Sequence, residues 1–143
     1  MNTVQPIRQK NKIEEIKDLL RHQSVRDEFL FTLGINSGLR ISDLLPLRVV
    51  DVKDKTHITI KEKKTGKEKR FKINSNLRNV IDDYIKRMDD EEFLFASRKT
   101  GLPIRREQAY KILNTVAKEV GLERQCFRWQ CVYYFWKYDL HRI

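Results

Sequence analysis

The sequence predicts a mainly α-helical fold with one small antiparallel β-sheet inserted among the helices. Three observations carry that expectation. Four stretches repeat apolar residues at helical spacing. One stretch instead alternates at period two on either side of a glycine turn. Short segments rich in glycine, serine, asparagine and proline separate the periodic stretches.

The first helix is expected over residues 11–22, where Ile13, Ile16, Leu19 and Leu20 share a face and lysine, glutamate and aspartate fill the rest. After a polar break at Gln23-Ser24, Ser24 suits the N-cap of a second helix with Val25, Phe29, Leu30 and Leu33 on one face. Gly38 suits the left-handed residue that ends it, because glycine has no Cβ to clash there. Ser42 is read as the cap of the next helix, with Asp43 at its positive end and Pro46 at the edge of its first turn, where a missing N–H costs little. From Leu47 to Val52 the chain reads as a β-prone link in which Asp51 anchors the turn.

Residues 57–73 form the hairpin. Ile58 and Ile60 alternate with Thr59 and Lys61, and Phe71 and Ile73 alternate with Arg70 and Lys72, about the turn Lys63-Lys64-Thr65-Gly66-Lys67-Glu68. It is strongly basic: residues 53–72 hold nine lysines or arginines against three acids, a net of +6. A helix over 75–88 follows, with Leu77, Val80, Ile81, Tyr84, Ile85 and Met88 as its apolar stripe and Tyr84 in the core. Phe93-Leu94-Phe95 is too short for a helix and is expected as a small buried strand. Residues 97–103 are a polar loop carrying Arg98 and Lys99. The last helix is expected over 105–120, with Tyr110, Ile112, Leu113, Val116, Ala117 and Val120 apolar and Gly121 as its stop.

The chain thus divides into residues 1–123 and a tail, 124–143, of different character. The tail holds both tryptophans, both cysteines and seven of the fourteen aromatic residues, without amphipathy or regular alternation. It reads either as a buried cap or as sequence that did not evolve with the domain.

A length of 143 residues fits one domain with a modest core. The formal net charge of +10 points to a polyanionic partner, with nucleic acid first and an anionic membrane surface second. No apolar run approaches a membrane span, and residues 1–12 lack a signal-peptide core, so an intracellular, cytoplasmic protein is expected. Cys126 and Cys131 have no Cys/His partners at zinc spacing, which gives neither a metal site nor a disulfide framework.

Arg40 falls at a turn beside a helix start, where a guanidinium fork next to free N–H groups suits a phosphate. A solvated surface arginine or a carboxylate partner is the plainer alternative. Lys64-Thr65-Gly66 is not a nucleotide-binding loop, since Lys61 occupies the upstream glycine position and no strand-loop-helix context follows. The basic hairpin is either a solvated face or one that positions phosphates. Arg105 and Arg106, at a helix start, either contact DNA phosphates or are plain surface charge.

Ser37-Gly38-Leu39-Arg40-Ile41-Ser42-Asp43-Leu44-Leu45 closely resembles the first signature of the tyrosine recombinases, or phage-type integrases, and the resemblance runs over residues 5 to 123. It implies the catalytic-domain fold of that family, in truncated form. It also implies double-stranded DNA as substrate, further recombinase protomers as partners, and DNA integration or site-specific recombination as the function. In the family a tyrosine attacks the DNA phosphate and leaves a 3′-phosphotyrosyl link, so neither cofactor, metal nor small-molecule substrate is implied. Arg40 matches the first of two arginines that, with a histidine, surround the transition state. Lys64 best matches the hairpin lysine that protonates the leaving 5′-oxygen, with Lys63 and Lys67 as the other candidates.

Two family features are missing. No His-x-x-Arg follows Gly121, and Tyr133, Tyr134 and Tyr138 come too early to match the nucleophile. Arg128 has no histidine three residues before it. A lost reading frame or a truncation near residue 123 is the expected origin. The N-terminal core-binding domain is also unmatched, as in smaller integrase-like proteins. The expectation is therefore a chain that binds DNA through Arg40, Lys63, Lys64, Lys67, Arg105 and Arg106 without cleaving it. The alternatives are a non-catalytic regulatory module that blocks an intact recombinase, and a folding-impaired relic.

Overall fold

The computed structural model describes residues 5–6, 10–62, 64–121 and 125–126, with Lys10 and the first and last pairs by backbone alone. In chain order its elements are β1 (Gln5–Pro6), α1 (Lys10–Gln23), α2 (Val25–Ser37), α3 (Ile41–Leu44), α4 (Val49–Val52), β2 (His57–Lys61), β3 (Glu68–Lys72), α5 (Ser75–Ile85), α6 (Arg106–Glu119) and β4 (Gln125–Cys126). The mainly helical class with a small antiparallel sheet holds. The chain forms two units: residues 45–103 make one, and the segments before and after them make the other. No helix among the described residues is long and apolar enough to cross a membrane.

In the first unit α2 packs against α1 and α3, and α6 packs against α1 and α3. α1 buries Ile13, Ile16 and Leu20 completely, as its spacing requires, while Leu19 is half-buried. α2 departs from a one-sided amphipathic helix. Every residue from Phe29 to Ile35 is buried, whereas Val25, expected on the apolar face, is 60% exposed. A helix buried all round is the centre of its unit. Ser24 occupies the N-cap position with extended backbone, and its carbonyl accepts from the Asp27 and Glu28 N–H groups at 3.1 Å, but its side chain makes no cap bond. Asp27 and Glu28 complement the helix dipole instead. Asp27 is also buried, and its Oδ1 is held by Arg26 Nη2 at 2.9 Å. β1 pairs in parallel with β4, matching Gln5 to Gln125 and Pro6 to Cys126.

In the second unit β2 and β3 pair antiparallel, from His57–Lys72 to Lys61–Glu68. Ile58 and Ile60 are buried and Thr59 and Lys61 exposed, so the period-two reading of β2 holds. On β3 only Phe71 is partly covered. α5 ends at Ile85 rather than Met88. Its buried stripe is Leu77, Ile81 and Ile85, with Asn74 Oδ1 capping the Leu77 N–H at 2.8 Å. Val80, expected in the stripe, is 40% exposed. Tyr84 is half-buried and donates its hydroxyl to the Leu94 carbonyl at 2.6 Å.

Two further expectations are corrected. Residues 49–52 are not β-prone link but one helical turn, despite three valines. The Val49 and Val50 N–H groups donate to the Glu92 and Asp90 carbonyls at 2.9 and 3.1 Å, which overrides local propensity. Asp51 does anchor the turn, its Oδ2 accepting from the Arg48 N–H at 2.8 Å. Phe93-Leu94-Phe95 is not a strand: Phe93 makes one isolated bridge with Arg48, and Leu94 and Phe95 lie buried in a turn.

Arg78 on α5 ties this unit together. Its Nη1 donates to the Val52 and Lys55 carbonyls at 2.7 and 2.8 Å, and Nε and Nη2 hold Asp82 Oδ1 at 2.9 and 2.7 Å. It thereby satisfies the C-terminal carbonyl of α4 and fixes the residue that leads toward β2.

Candidate nucleic-acid interface

Arg40 owes its position to the way α2 ends. Gly38 takes the left-handed conformation at φ 68° and ψ 7°, and its N–H donates to the Gly34 carbonyl at 2.9 Å. Buried Ser37 accepts the Leu39 N–H on Oγ at 3.2 Å. Leu39 and Ile41 are both buried, so the backbone on either side of Arg40 is anchored in apolar surroundings. Arg40 itself is exposed, and among the described residues its guanidinium has no hydrogen-bond or ion-pair partner, Asp43 included. Five donors in a planar fork are thus left facing water.

The local reading of this turn changes in two details. α3 begins at Ile41, with the Arg40 carbonyl accepting from the Asp43 and Leu44 N–H groups at 2.9 and 3.1 Å. Arg40 therefore holds the cap position, and Ser42 lies within the first turn instead of capping it. Pro46 lies in the turn beyond α3, not in its first turn. With four residues α3 has little dipole, so any anion here is held by the guanidinium more than by the helix end.

α6 brings the other two arginines into the same unit. Arg105 is its N-cap residue in extended conformation, and the Arg105 carbonyl accepts the Ala109 N–H at 3.0 Å. Ile104 and Ala109 are buried and fix the helix start, while Arg105 and Arg106 are exposed without a side-chain partner among the described residues. Tyr110, expected on the apolar face, is 40% exposed; Ala109, Leu113, Val116 and Ala117 form the buried face.

The second unit carries the hairpin. Its tip is closed by the Glu62 N–H donating to the Lys67 carbonyl at 2.8 Å and the Gly66 N–H to the Glu62 carbonyl at 2.9 Å. Gly66 has φ +70°, with nothing within 4 Å of where a Cβ would stand. Thr65 Oγ1 donates to Glu62 Oε2 at 3.0 Å, and Lys69 Nζ lies 2.9 Å from Glu62 Oε1. Lys64 and Lys67 are exposed, and neither ammonium has a partner among the described residues. Lys63 lies outside the described residues.

Glu62 is the group that sequence reasoning missed. Its signal was a lone acid three residues before Thr65 at the start of a turn, easily lost among so many lysines. Not every cation of the basic stretch is available. Lys53 Nζ is held by Asp90 Oδ1 at 3.1 Å, and that hydrogen bond and the Asp90 charge raise its pKa above the ordinary 10.5. Arg48 reaches Glu91 at 3.2 Å and covers the Phe93 ring with its guanidinium carbon 4.6 Å from the centroid.

The structure therefore places Arg40, Arg105 and Arg106 in one unit and Lys64 and Lys67 in the other. The 124–143 tail, apart from the backbone of β4, lies outside the described residues, and so do Arg128, Tyr133, Tyr134 and Tyr138.

The sequence profile of the phage integrase family matches residues 8–130. The chain is 49% identical over 123 residues to the probable integrase/recombinase YoeC of Bacillus subtilis (strain 168), covering 86% of this chain and 68% of that protein. It is 28% identical over 117 residues to the tyrosine recombinase XerA of Pyrococcus furiosus, covering 77% of this chain but only 41% of that protein. Among solved structures, an XerA recombinase superposes with a TM-score of 0.72 at 14% identity, over 98% of this chain and 52% of that one. A lambda integrase dimer bound to a COC′ core site gives 0.69 at 15%, over 93% of this chain and 51% of that one. The chain thus spans about half the length of the solved chains it matches, and at these identities the likeness concerns the fold.

Proposed function

Because the chain belongs to the phage integrase family, whose members include the tyrosine recombinases, we propose that it engages double-stranded DNA as the arginine-and-hairpin portion of a strand-cleaving centre. These 143 residues, in this reading, bind DNA without cutting it.

The observation that carries the reading is the Arg40 turn. A guanidinium presented to water without a partner among the described residues, on backbone anchored by buried Leu39 and Ile41, is preorganised for a phosphate. Its fork would hold two non-bridging oxygens, where charge builds as the attacked phosphorus becomes five-coordinate. Lys64 is the proposed general acid: as the P–O5′ bond breaks, its ammonium would give the leaving oxygen a proton. Support for it is its place on the hairpin tip ahead of Thr65-Gly66 and an ammonium without a partner among the described residues; Lys63 and Lys67 would serve the adjoining phosphates. Arg105 and Arg106 would hold the backbone from the start of α6. The reaction also needs a second arginine, a histidine and a tyrosine nucleophile, none at the family's spacing in these residues. In this reading the chain works in the cytoplasm, on DNA of a phage or another mobile element, beside further recombinase protomers.

The test is a nicked suicide substrate that traps covalent protein–DNA adducts, run beside a binding titration on the same duplex. Salt-sensitive binding with no adduct is expected. A phosphotyrosyl adduct would overturn the inactive reading, and no binding at low salt would overturn the DNA reading. The second reading is a regulatory module: a chain that binds DNA without His-x-x-Arg at the family's spacing would occupy sites without turning them over. In that case adding the chain to an intact recombinase on shared sites lowers its turnover.

A further inference from the structure

Residues 97–103 form a loop that the proposed centre leaves unused. Ala96 and Pro103 pair across its base as an antiparallel bridge. Inside, the Ser97 N–H donates to the Leu102 carbonyl at 2.7 Å and the Gly101 N–H to the Ser97 carbonyl at 2.9 Å. Ser97 Oγ accepts from the Lys99 N–H at 3.3 Å, and Thr100 Oγ1 from the Leu102 N–H at 3.2 Å. Gly101 turns the chain at φ +73°. The loop's shape is thus set by its own bonds and needs no partner to form.

What this braced loop displays adds to the exposed cations Lys64 and Lys67 of the same unit, which also have no partner among the described residues. Arg48, Lys53, Lys69 and Arg78 each hold a carboxylate. Arg98 and Lys99 are exposed, and neither side chain has a partner among the described residues. Leu102, three residues after Lys99, is 60% exposed although its backbone is bonded at both N–H and carbonyl. Two adjacent exposed cations and an apolar side chain on fixed backbone suit a polyanion that also has apolar groove walls. Duplex DNA meets that description, with phosphates for the cations and deoxyribose faces for the leucine. An acidic peptide matches the cations alone.

We propose that the 98–102 loop is a separate DNA-contact surface, with Arg98 and Lys99 on backbone phosphates and Leu102 against the sugars of a groove wall. It rests on the DNA-binding reading above but uses neither Arg40 nor Lys64.

The test is a salt titration of the full chain on a random-sequence duplex. Each lost phosphate contact flattens the slope of log affinity against log salt by about 0.9. The double variant R98A/K99A should therefore flatten it by about 1.8, so its deficit shrinks about tenfold between roughly 50 and 200 mM salt. R98K/K99R should restore the slope. Leu102→Ala should weaken binding with the slope unchanged. If R98A/K99A matches the wild type while R40A/K64A loses affinity, the loop proposal fails and the DNA reading stands. If the wild type binds no duplex at low salt, both fail. If R98A/K99A instead loses polyglutamate binding and keeps its DNA binding, the loop serves an acidic protein and the proposal is overturned.

Discussion

Replacing Arg78 with methionine isolates its hydrogen bonds, because methionine keeps most of the apolar stem. The guanidinium makes four bonds of unequal weight. The Val52 carbonyl is partly buried and closes α4, so leaving it without a donor costs about 1–3 kcal/mol. The Lys55 carbonyl is exposed and regains water, which limits its loss to about 0.5 kcal/mol. Asp82 is 56% exposed at helical i,i+4 spacing, so its pair contributes only about 0.3–0.5 kcal/mol. Together these give about 2–4 kcal/mol, a large share of the ~5–15 kcal/mol that holds a domain folded. Urea unfolding followed by circular dichroism reads the loss as a lower midpoint. Asp82→Ala is the control and should cost under about 0.5 kcal/mol. If R78M stays within about 0.5 kcal/mol of the wild type, or D82A costs as much as R78M, the assignment of the energy to the backbone carbonyls is wrong.

Three more outcomes follow from the site. Arg40→Ala should lower duplex affinity about tenfold or more, the weight of one charge-assisted contact, while the melting temperature stays in place because the side chain is exposed and has no partner among the described residues. Arg40→Lys should recover only part of it, since an ammonium lacks the planar fork; full recovery would argue for plain charge attraction. Gly66→Ala should cost about 1 kcal/mol through the φ of +70°, without a clash, read by thermal melting. A neutral or stabilising result would mean that the hairpin tip does not need the left-handed backbone.

What could be read ahead of the structure was whatever short-range chemistry decides. Gly38 as a helix stop, the Gly66 hairpin and the Ile13, Ile16, Leu20 face each depend on a few neighbouring residues. The failures were decided at a distance. Val49, Val50 and Val52 look like strand, yet carbonyls some forty residues away accept the first two N–H groups and wind them into a turn. Val80 and Tyr110 fit a helical stripe by spacing but lie at its margin, where only the neighbouring elements decide what is covered. The arginine of the candidate site was legible because its sequence surroundings resemble a family signature. Arg78 was not, because its partners at Val52 and Lys55 are carbonyls, which no side-chain pattern reveals.

Glu62 sets order and affinity against each other at the hairpin. Removing this acid would free Lys69 and add to the positive field, the obvious way to strengthen a grip on DNA. The same change would strip Thr65 of its acceptor and loosen the tip on which Lys64 stands. Charge counted along the strand is therefore a poor guide to how this hairpin would meet a polyanion: an acid braces the turn on which the lysines stand.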